Sequence, residues 1–443
     1  MSYKQIPIVG PFAGIVDNPP PPNGPLNGFD DIVNFFCRKG RLQSRPKLNS
    51  FPAPPDGKIV RLAVTFSDVN NSWHTLVLTD WNAYYLTAAG TYTHVGFPRT
   101  GTQMSPVTGM GVAPFVHTGA ANAAALTDGT KAWTAHAFIG YYVVNVTDGS
   151  IGVITENTGT VITATLTGGT DNDWDVGDTY NIVSLYGTGL PFSYAAVNNR
   201  VYFSNGSNYV LYCDGSANLA VAGDVPGACR FMTVNVARIL TGYLTEGPPN
   251  VAGSVVLPKR ARWCKAGNTN DWTAFGSGFN EILETNDFLT GMATLGRSTF
   301  ILRTNGITVA TPTGIGISPF SFDQYSYSPQ GVGCRYPYSL GIYDRFCVFV
   351  STDDLYMLSL DGTLTPIARQ CKRKIFNDLA NASGDQVCGF VVPRLGLGFD
   401  FLSYWLSIPG VNVTWVWNVE ENNWVRFTST AGRLTCLANV AVA

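Results

Sequence analysis

The chain has 443 residues with a formal net charge of −2 and a pI near 6.1, so it lacks the basic footprint of a sequence-specific nucleic-acid binder. A surface past which DNA slides also avoids strong positive charge, so a DNA conduit is not excluded. Glycine and proline are abundant, at 47 and 26 residues, aromatic residues reach 12%, and long stretches with helical spacing are absent. This combination predicts an all-β fold.

Charged residues make up only 13% of the sequence, about half of the roughly 25% that is usual for a soluble domain. Mean hydropathy is +0.08, yet no run of about 18 apolar residues is present that would span a membrane. We expect much of the surface to be buried against other subunits; a surface rich in Ser, Thr and Asn is the alternative. No signal peptide is visible, and nine scattered cysteines without a C-x-x-C pair predict buried, reduced thiols of a protein made in a cytoplasm.

Residues 1–57 are rich in proline and predict an extended arm that lies over the body or over a neighbour. Within this arm, an apolar strand over 32–37, a turn at Lys39 and Gly40, and a returning strand through Leu42 predict a hairpin. The hairpin carries three candidate interface residues, Arg38, Arg41 and Arg45.

Residues 58–100 contain four short segments with strand character, at 59–66, 73–79, 83–86 and 92–95, separated by polar turns. Four antiparallel strands within about 40 residues correspond to one blade of a β-propeller. Residues 188–443 continue this pattern with five further blades that begin near residues 192, 228, 279, 331 and 371. The sequence therefore predicts a propeller-like body of about six four-stranded blades.

The last of these blades ends in the hairpin at 413–427. Period-two alternation places Trp415, Trp417 and Val419 on one face of its first strand, and residues 420–423 supply the turn. A final strand at 434–442 is suited to close the ring against the first blade.

Residues 101–187 interrupt the spacing of the blades and predict a small inserted β-module with strands near 141–146, 152–155 and 161–166. The arm and this insertion are the expected contact elements, because neither contains a core large enough to be stable alone. Trp133 and Trp174 of the insertion are therefore candidate interface residues. The predicted organisation is an arm at 1–57, a body at 58–100 and 188–443, and a module at 101–187.

Few residues suggest chemistry. The histidines at 74, 94, 117 and 136 share no metal-ligand spacing, and no phosphate loop, dinucleotide fingerprint or nucleophile elbow occurs. We therefore expect no catalytic residues and no cofactor, although sequence spacing alone leaves a carboxylate pair for glycoside hydrolysis open. The segment from Asp68 to Trp73 half-resembles the turn motif of sialidase propellers, with Asn70 in place of glycine, and we expect it only to shape a turn.

Asp171, Asp173 and Asp175 alternate, so their carboxylates are able to converge on a hard cation such as Ca²⁺. An EF-hand loop starting at Asp171 needs glycine at 176 and glutamate at 182, where this chain has Val176 and Ile182. A polar hairpin turn is favoured, and a weak cation site is the alternative.

Lys372, Arg373 and Lys374 form a short basic run and are the remaining candidate interface residues. They are suited to contact DNA or a protein partner, and a solvated face is the alternative.

Several segments, in this order, resemble propeller-like proteins of bacteriophage tails. They are residues 38–46 (RKGRLQSRP), 261–272 (ARWCKAGNTNDW), 286–292 (NDFLTGM), 299–303 (TFILR), 331–339 (GVGCRYPYS) and 349–356 (FVSTDDLY). The family includes the nozzle or tail-hub proteins of short-tailed phages. The sequence departs from the family pattern at Cys334 and Asp354.

The resemblance implies a structural virion protein that forms a ring, expected to be a hexamer, below the adaptor protein and beside tail needle, fibre or tailspike proteins. Such a ring retains packaged double-stranded DNA and conducts it during ejection without sequence-specific binding. The family has no catalytic residues to carry over. The alternatives are a receptor- or glycan-binding propeller of the virion and a propeller glycoside hydrolase.

Overall fold

Nearly all of the regular secondary structure in the described residues is β-strand. The computed structural model describes residues 35–38, 41–44, 53–80, 82–87, 89–95, 114–138, 141–183, 190–222, 227–246, 255–283, 286–324, 331–382, 384–393 and 401–428. These residues contain 31 strands, one α-helix and three short 3₁₀ turns. None of the described helices is long and apolar enough to cross a membrane.

The first described element is the predicted hairpin in the arm, formed by β1 (Phe35–Arg38) and β2 (Arg41–Ser44). The position of Arg45 and the predicted final strand at 434–442 lie outside the described residues.

Three four-stranded sheets lie in the first part of the chain. Sheet 1 consists of β3 (Val60–Ser67), β4 (Trp73–Thr79), β5 (Ala83–Leu86) and β6 (Tyr92–Val95). Sheet 2 consists of β12 (Ser193–Val197), β13 (Arg200–Ser204), β14 (Leu211–Cys213) and β15 (Ala220–Val221). Sheet 3 consists of β16 (Gly227–Asn235), β17 (Arg238–Glu246), β18 (Val255–Trp263) and β19 (Gly278–Glu281).

Three more four-stranded sheets follow. Sheet 4 consists of β20 (Leu289–Leu295), β21 (Ser298–Arg303), β22 (Ile307–Pro312) and β23 (Phe320–Gln324). Sheet 5 consists of β24 (Gly341–Tyr343), β25 (Phe346–Val350), β26 (Leu355–Ser359) and β27 (Leu364–Pro366). Sheet 6 consists of β28 (Cys388–Val392), β29 (Ser403–Ile408), β30 (Val413–Asn418) and β31 (Asn423–Thr428).

In each of these six sheets, every strand pairs antiparallel with the strand that follows it in the chain. This simple meander of four strands is the topology of a propeller blade. The fold class is therefore all-β and propeller-like with six four-stranded blades, as the sequence predicts.

A separate five-stranded sheet lies between sheets 1 and 2 in sequence, where the insertion is predicted. Its strand order is β11–β8–β9–β10–β7, with β7 (Ala125–Thr127), β8 (Tyr142–Asn145), β9 (Ile151–Asn157), β10 (Val161–Ala164) and β11 (Tyr180–Val183). We call this sheet and its turns the module. The predicted boundaries of the arm, the body and the insertion stay a prediction.

The described residues fall into two compact units. One unit contains sheets 1, 2 and 3, the module and residues 316–319. In this unit Leu76 of sheet 1, Val144 of the module and Phe203 of sheet 2 belong to one core cluster, and Tyr202 and Ile239 belong to another between sheets 2 and 3.

The other unit contains the hairpin, sheets 4, 5 and 6, and the helix α1 (Lys372–Ala380). Trp415 and Trp417 of β30 lie in its core with Val419 packed against the same cluster, so the predicted shared face is confirmed. Ile375 and Leu379 place one face of α1 in the same core. The sequence pattern did not predict this helix.

Candidate functional site

The arginines of the arm lie on a hairpin whose register is defined. Arg38 and Arg41 are register partners at the turn between β1 and β2, which confirms the predicted hairpin. Strand β1 also lies beside β31, the last strand of sheet 6. The interface role of Arg38 and Arg41 stays a prediction.

Trp133 and Trp174 are core residues of the module. Trp133 is 6% exposed and Trp174 has no exposed surface. Both rings pack edge-on against Tyr180, in a cluster that also contains Leu126 and Ile162. The prediction that these tryptophans contact a neighbouring subunit is wrong, because the module's own core covers nearly all of both side chains. The expectation failed because the module has a core of its own.

Lys372, Arg373 and Lys374 form the first turn of α1. Lys372 and Arg373 are exposed and Lys374 is half-buried. Arg369, which was not among the candidates from the sequence, is also exposed and lies just before the helix. Residues 369–374 (RQCKRK) are called the basic segment below.

No carboxylate opposes this charge from within the first turn of α1. The helix begins after Cys371 without a side-chain cap, and its first turn contains no acidic residue. The positive charge of Lys372 favours the ionised form of Asp354. The carboxylate of Asp354 is buried, however, and it accepts the backbone N–H groups of Leu355 and Ala368. Burial raises the pKa of Asp354. The basic segment is therefore a local concentration of positive charge on a chain with few charges.

The acidic triplet of the module is brought together, as the alternation of the three residues allows. One carboxylate oxygen from each of Asp171, Asp173 and Asp175 lies within 4.8 Å of the others. Desolvation, followed by the negative charges of Asp171 and Asp175, raises the pKa of Asp173. Asp175 accepts the N–H of Asn122, so part of the cluster serves to fix a turn. Cation binding by this triplet stays a prediction.

Asp68 organises the turn between β3 and β4, as expected for a turn motif. Its Oδ1 accepts the backbone N–H groups of Asn70 and Ser72 at 2.8 and 2.9 Å, and its Oδ2 lies 3.1 Å from Nε2 of His74. Hydrogen bonds lower the pKa of Asp68; the bond to His74 has the largest effect, and the bond to the backbone of Ser72 has the next largest. Gly215 of sheet 2, at φ +93°, packs directly over this pair, where a Cβ would lie 2.9 Å from the His74 ring.

The other histidines also have structural surroundings. His94 stacks on Tyr142 at 4.6 Å, and burial lowers its pKa to about 4. His117 is buried, and its Nδ1 accepts the N–H of Thr127. His136 is exposed, and its Nδ1 lies 2.7 Å from a carboxylate oxygen of Glu156 in β9. The contacts of these three histidines are therefore packing contacts and hydrogen bonds within the fold.

No family model and no curated protein sequence matches this chain. Solved structures with a similar fold include the WD40 domain of Neurospora crassa Pan2, at 13% identity over 67% of this chain and 77% of that one, with a TM-score of 0.32. PorZ, a surface component of the type-IX secretion system of Porphyromonas gingivalis, is 12% identical over 84% of this chain and 45% of its own, with a TM-score of 0.30. AztD from Citrobacter koseri is 8% identical over 85% and 96%, with a TM-score of 0.29. At such low sequence identities and TM-scores, the activities and partners of these proteins are not inferred for this chain. The fold class rests on the sheet topology described above.

Proposed function

We propose that this chain is a structural virion protein, the nozzle or hub of a short phage tail. It retains packaged DNA and forms part of the channel through which the genome is ejected. It has no catalytic role in this proposal, and it acts as a ring of identical subunits below an adaptor protein. Its site of action is the tail of the virion, after synthesis in the host cytoplasm.

The observation that supports this proposal most is the exposure of large apolar side chains on a chain with few charges. Phe275, Leu283 and Ile317 are each at least 70% exposed. Only 13% of all residues are charged. Exposed apolar groups on a poorly charged surface favour association, because burial removes them from water at about 25 cal/mol per Å². A closed ring buries such surface without leaving a free end.

The segments that carry the resemblance to tail proteins have structural roles in this chain. Trp272, at the end of the 261–272 segment, is buried, and its indole N–H donates to the carbonyl oxygen of Thr269. In the 349–356 segment, the hydroxyl of Tyr356 donates to a carboxylate oxygen of Asp353 at 2.9 Å. Residues that stabilise turns between strands suit a scaffold, and this agrees with a family that has no catalytic residues.

A conduit for DNA needs a wall that does not trap phosphates. We expect the channel to be lined mainly by Ser, Thr, Asn and acidic side chains, because a strongly positive wall would hold the polyanion. Subunits of a ring meet through two different surfaces, so the contact is heterologous and closes by rotation.

The test is the size and shape of the purified full chain. Light scattering after size exclusion is expected to give a ring of several subunits, near 290 kDa for six copies of the 47.7 kDa chain. Negative-stain electron micrographs of the same fraction are expected to show a ring with a central hole.

A stable monomer would overturn the proposal. A monomer that binds glycans in an array would favour the receptor-binding alternative, and one that hydrolyses glycosides would favour the enzyme. Tight binding of duplex DNA at physiological salt would also contradict a conduit.

A further inference from the structure

We propose that the turn that carries Trp73 docks into a pocket of sheet 5 on a second copy of this chain. The inference rests on the proposed function, because it names one contact between neighbouring subunits of the proposed ring. Residues 68–73 are called the Trp73 turn below. The sheet 5 pocket is the depression lined by Arg345, Phe346, Met357, Ser359, Leu360 and Asp361.

The first argument is the exposure of one tryptophan. Trp73, the first residue of β4, is 63% exposed. The other eight tryptophans among the described residues are each 7% exposed or less. Val69, in the same turn, is 72% exposed. A tryptophan that stays in water while the others are buried is typical of the anchor of a protein contact, where this residue is enriched.

The second argument is that hydrogen bonds fix the Trp73 turn within the single chain. The carboxylate of Asp68 accepts the backbone N–H groups of Asn70 and Ser72 at 2.8 and 2.9 Å. The backbone N–H of Asp68 donates to the carbonyl oxygen of Ser72. Asn199, in the β12–β13 turn, donates its side-chain amide to the carbonyl oxygen of Asp68. Because these bonds already hold the turn, docking costs little conformational entropy of the backbone.

The third argument is the sheet 5 pocket, which lies in the other unit of the chain and has a volume of about 410 Å³. Its apolar lining comes from Phe346 of β25, Met357 of β26 and Leu360 of the β26–β27 turn. Leu360 is 45% exposed, so part of this lining faces water. Ligand sites occupy roughly 300–1,000 Å³, so the pocket is large enough to receive an indole ring.

The chemistry of the pocket matches that of a tryptophan side chain, which has a broad apolar body and one N–H donor. The apolar lining is suited to cover the body of the ring, and the exposed carboxylate of Asp361 is suited to accept the indole N–H. Oδ1 of Asp361 already accepts the backbone N–H of Thr363. A carboxylate has about four lone-pair sites, so Asp361 has the capacity for a further donor.

A second copy is favoured over an unrelated partner because the turn and the pocket occur on the same chain. They consist of different residues, so contact between them joins two unlike surfaces. Such a heterologous contact repeats from copy to copy and closes into a ring when the rotation allows it. One aromatic side chain buries about 150–250 Å², whereas a stable interface needs roughly 800 Å² per partner. Trp73 is therefore expected to be the central anchor of a larger contact.

The experiment measures assembly of the full chain over a dilution series by light scattering after size exclusion. W73D removes the anchor, and L360D places a charge in the pocket. Each variant is expected to need at least about tenfold more protein than wild type to assemble, because docking would bury an unpaired charge. The matched control is V236D in the β16–β17 turn, where Val236 is 59% exposed. It changes net charge by the same amount and is expected to assemble like wild type.

A mixture of W73D and L360D tests whether the turn and the pocket are partners. Each variant alone lacks one half of every contact. In the mixture, the intact turn of L360D meets the intact pocket of W73D, so dimers with one copy of each variant are expected and rings are not. Thermal unfolding of wild type and the three variants verifies that they are folded.

Assembly of W73D or L360D at wild-type concentrations overturns the inference, as does a mixture that stays monomeric. An equal loss of assembly in V236D would assign the effect to charge alone and also overturn it. If W73D assembles like wild type but loses binding to a glycan array, Trp73 belongs to a glycan site and the inference is wrong.

The same samples separate this inference from the proposed function. A wild-type ring that neither variant disturbs refutes the inference alone. A wild-type monomer refutes the proposed function and the inference with it. A closed wild-type dimer that both variants dissociate refutes the ring while it supports the contact between the turn and the pocket.

Discussion

Among single residues, Asp68 has the most specific role, because one carboxylate fixes both a turn and a histidine. It accepts two backbone N–H groups within the β3–β4 turn and pairs with His74. Its backbone oxygen accepts the side-chain amide of Asn199 from the β12–β13 turn of sheet 2. The motif that half-resembles a sialidase turn is thus a structural connection between two sheets.

The variant D68N is expected to lower the midpoint of thermal unfolding at pH 7 by about 2–4 °C, because one charge-assisted partner of His74 is lost. The pKa of Asp68 is lowered from 3.8 in the folded state, so its contribution is fully present above that value. It is lost as pH falls through the lowered pKa.

The difference between D68N and wild type is therefore expected to shrink below about pH 4. Thermal unfolding followed by circular dichroism at pH 7, 5 and 3 measures it. A difference at pH 3 as large as the difference at pH 5 would contradict the role assigned to this carboxylate.

Single residues also show what the sequence does not determine. Trp133 and Trp174 are large and apolar in a segment without an obvious core, so contact with a neighbour was a reasonable expectation. Whether such a side chain faces a partner or its own sheet depends on contacts between β7, β10 and β11, which are distant in sequence. The alternation of Asp171, Asp173 and Asp175, in contrast, is local and allows their carboxylates to converge, as they do in the structure.

At the scale of elements, strand bounds were the most predictable feature. The segments 73–79, 83–86 and 92–95 coincide with β4, β5 and β6. Period-two alternation and polar turns are local signals, so a short sequence window contains them. The helix α1 was missed because nine residues are too few for a clear helical period, and its stability comes from the burial of Ile375 and Leu379 in a core formed by distant strands.

Strand β28 provides a test of how closely the elements of one unit pack. A Cβ added to Gly389 would overlap the carbonyl oxygen of Ser339 and lie 2.6 Å from the hydroxyl oxygen of Tyr404. That hydroxyl donates a hydrogen bond to the same carbonyl. The variant G389A is expected to lose about 1–3 kcal/mol of unfolding free energy, because the backbone at Ser339 has to move.

Chemical denaturation of G389A and wild type measures this loss. The matched control is G384A in the same unit, where the nearest atom to the added Cβ is 3.6 Å away in the ring of Tyr336. Its stability is expected to stay within about 0.5 kcal/mol of wild type. Equal stability of the two variants would contradict the close packing of β28.

At the scale of the whole molecule, the number of blades followed from counting strand-turn units, and the structure agrees with that count. The surface of the proposed subunit contacts does not follow from the sequence in the same way, because it depends on exposure rather than on periodicity. The exposed side chains of Phe275, Leu283 and Ile317 are ordinary apolar residues in the sequence, and only the structure distinguishes them from core residues.

The cysteines give a prediction for the molecule as a whole. Seven of them, at 213, 229, 264, 334, 347, 371 and 388, are buried thiols outside any disulfide. Burial raises the pKa of Cys229 and Cys334 to about 12, so these thiols stay protonated at neutral pH. In the folded protein these seven are expected to react with Ellman's reagent at least about tenfold more slowly than in urea. Rapid reaction of all seven in native buffer would contradict this description of the interior.

Under the proposed function, the burial of these thiols has a consequence for a particle that leaves its host. The reducing conditions of a cell give way to air and oxidants outside, and exposed thiols would then crosslink or accumulate acids of sulfur. The seven thiols that are buried beneath the β-sheets are protected from these oxidants. In the proposed tail, these seven buried thiols would therefore stay reduced outside the host cell.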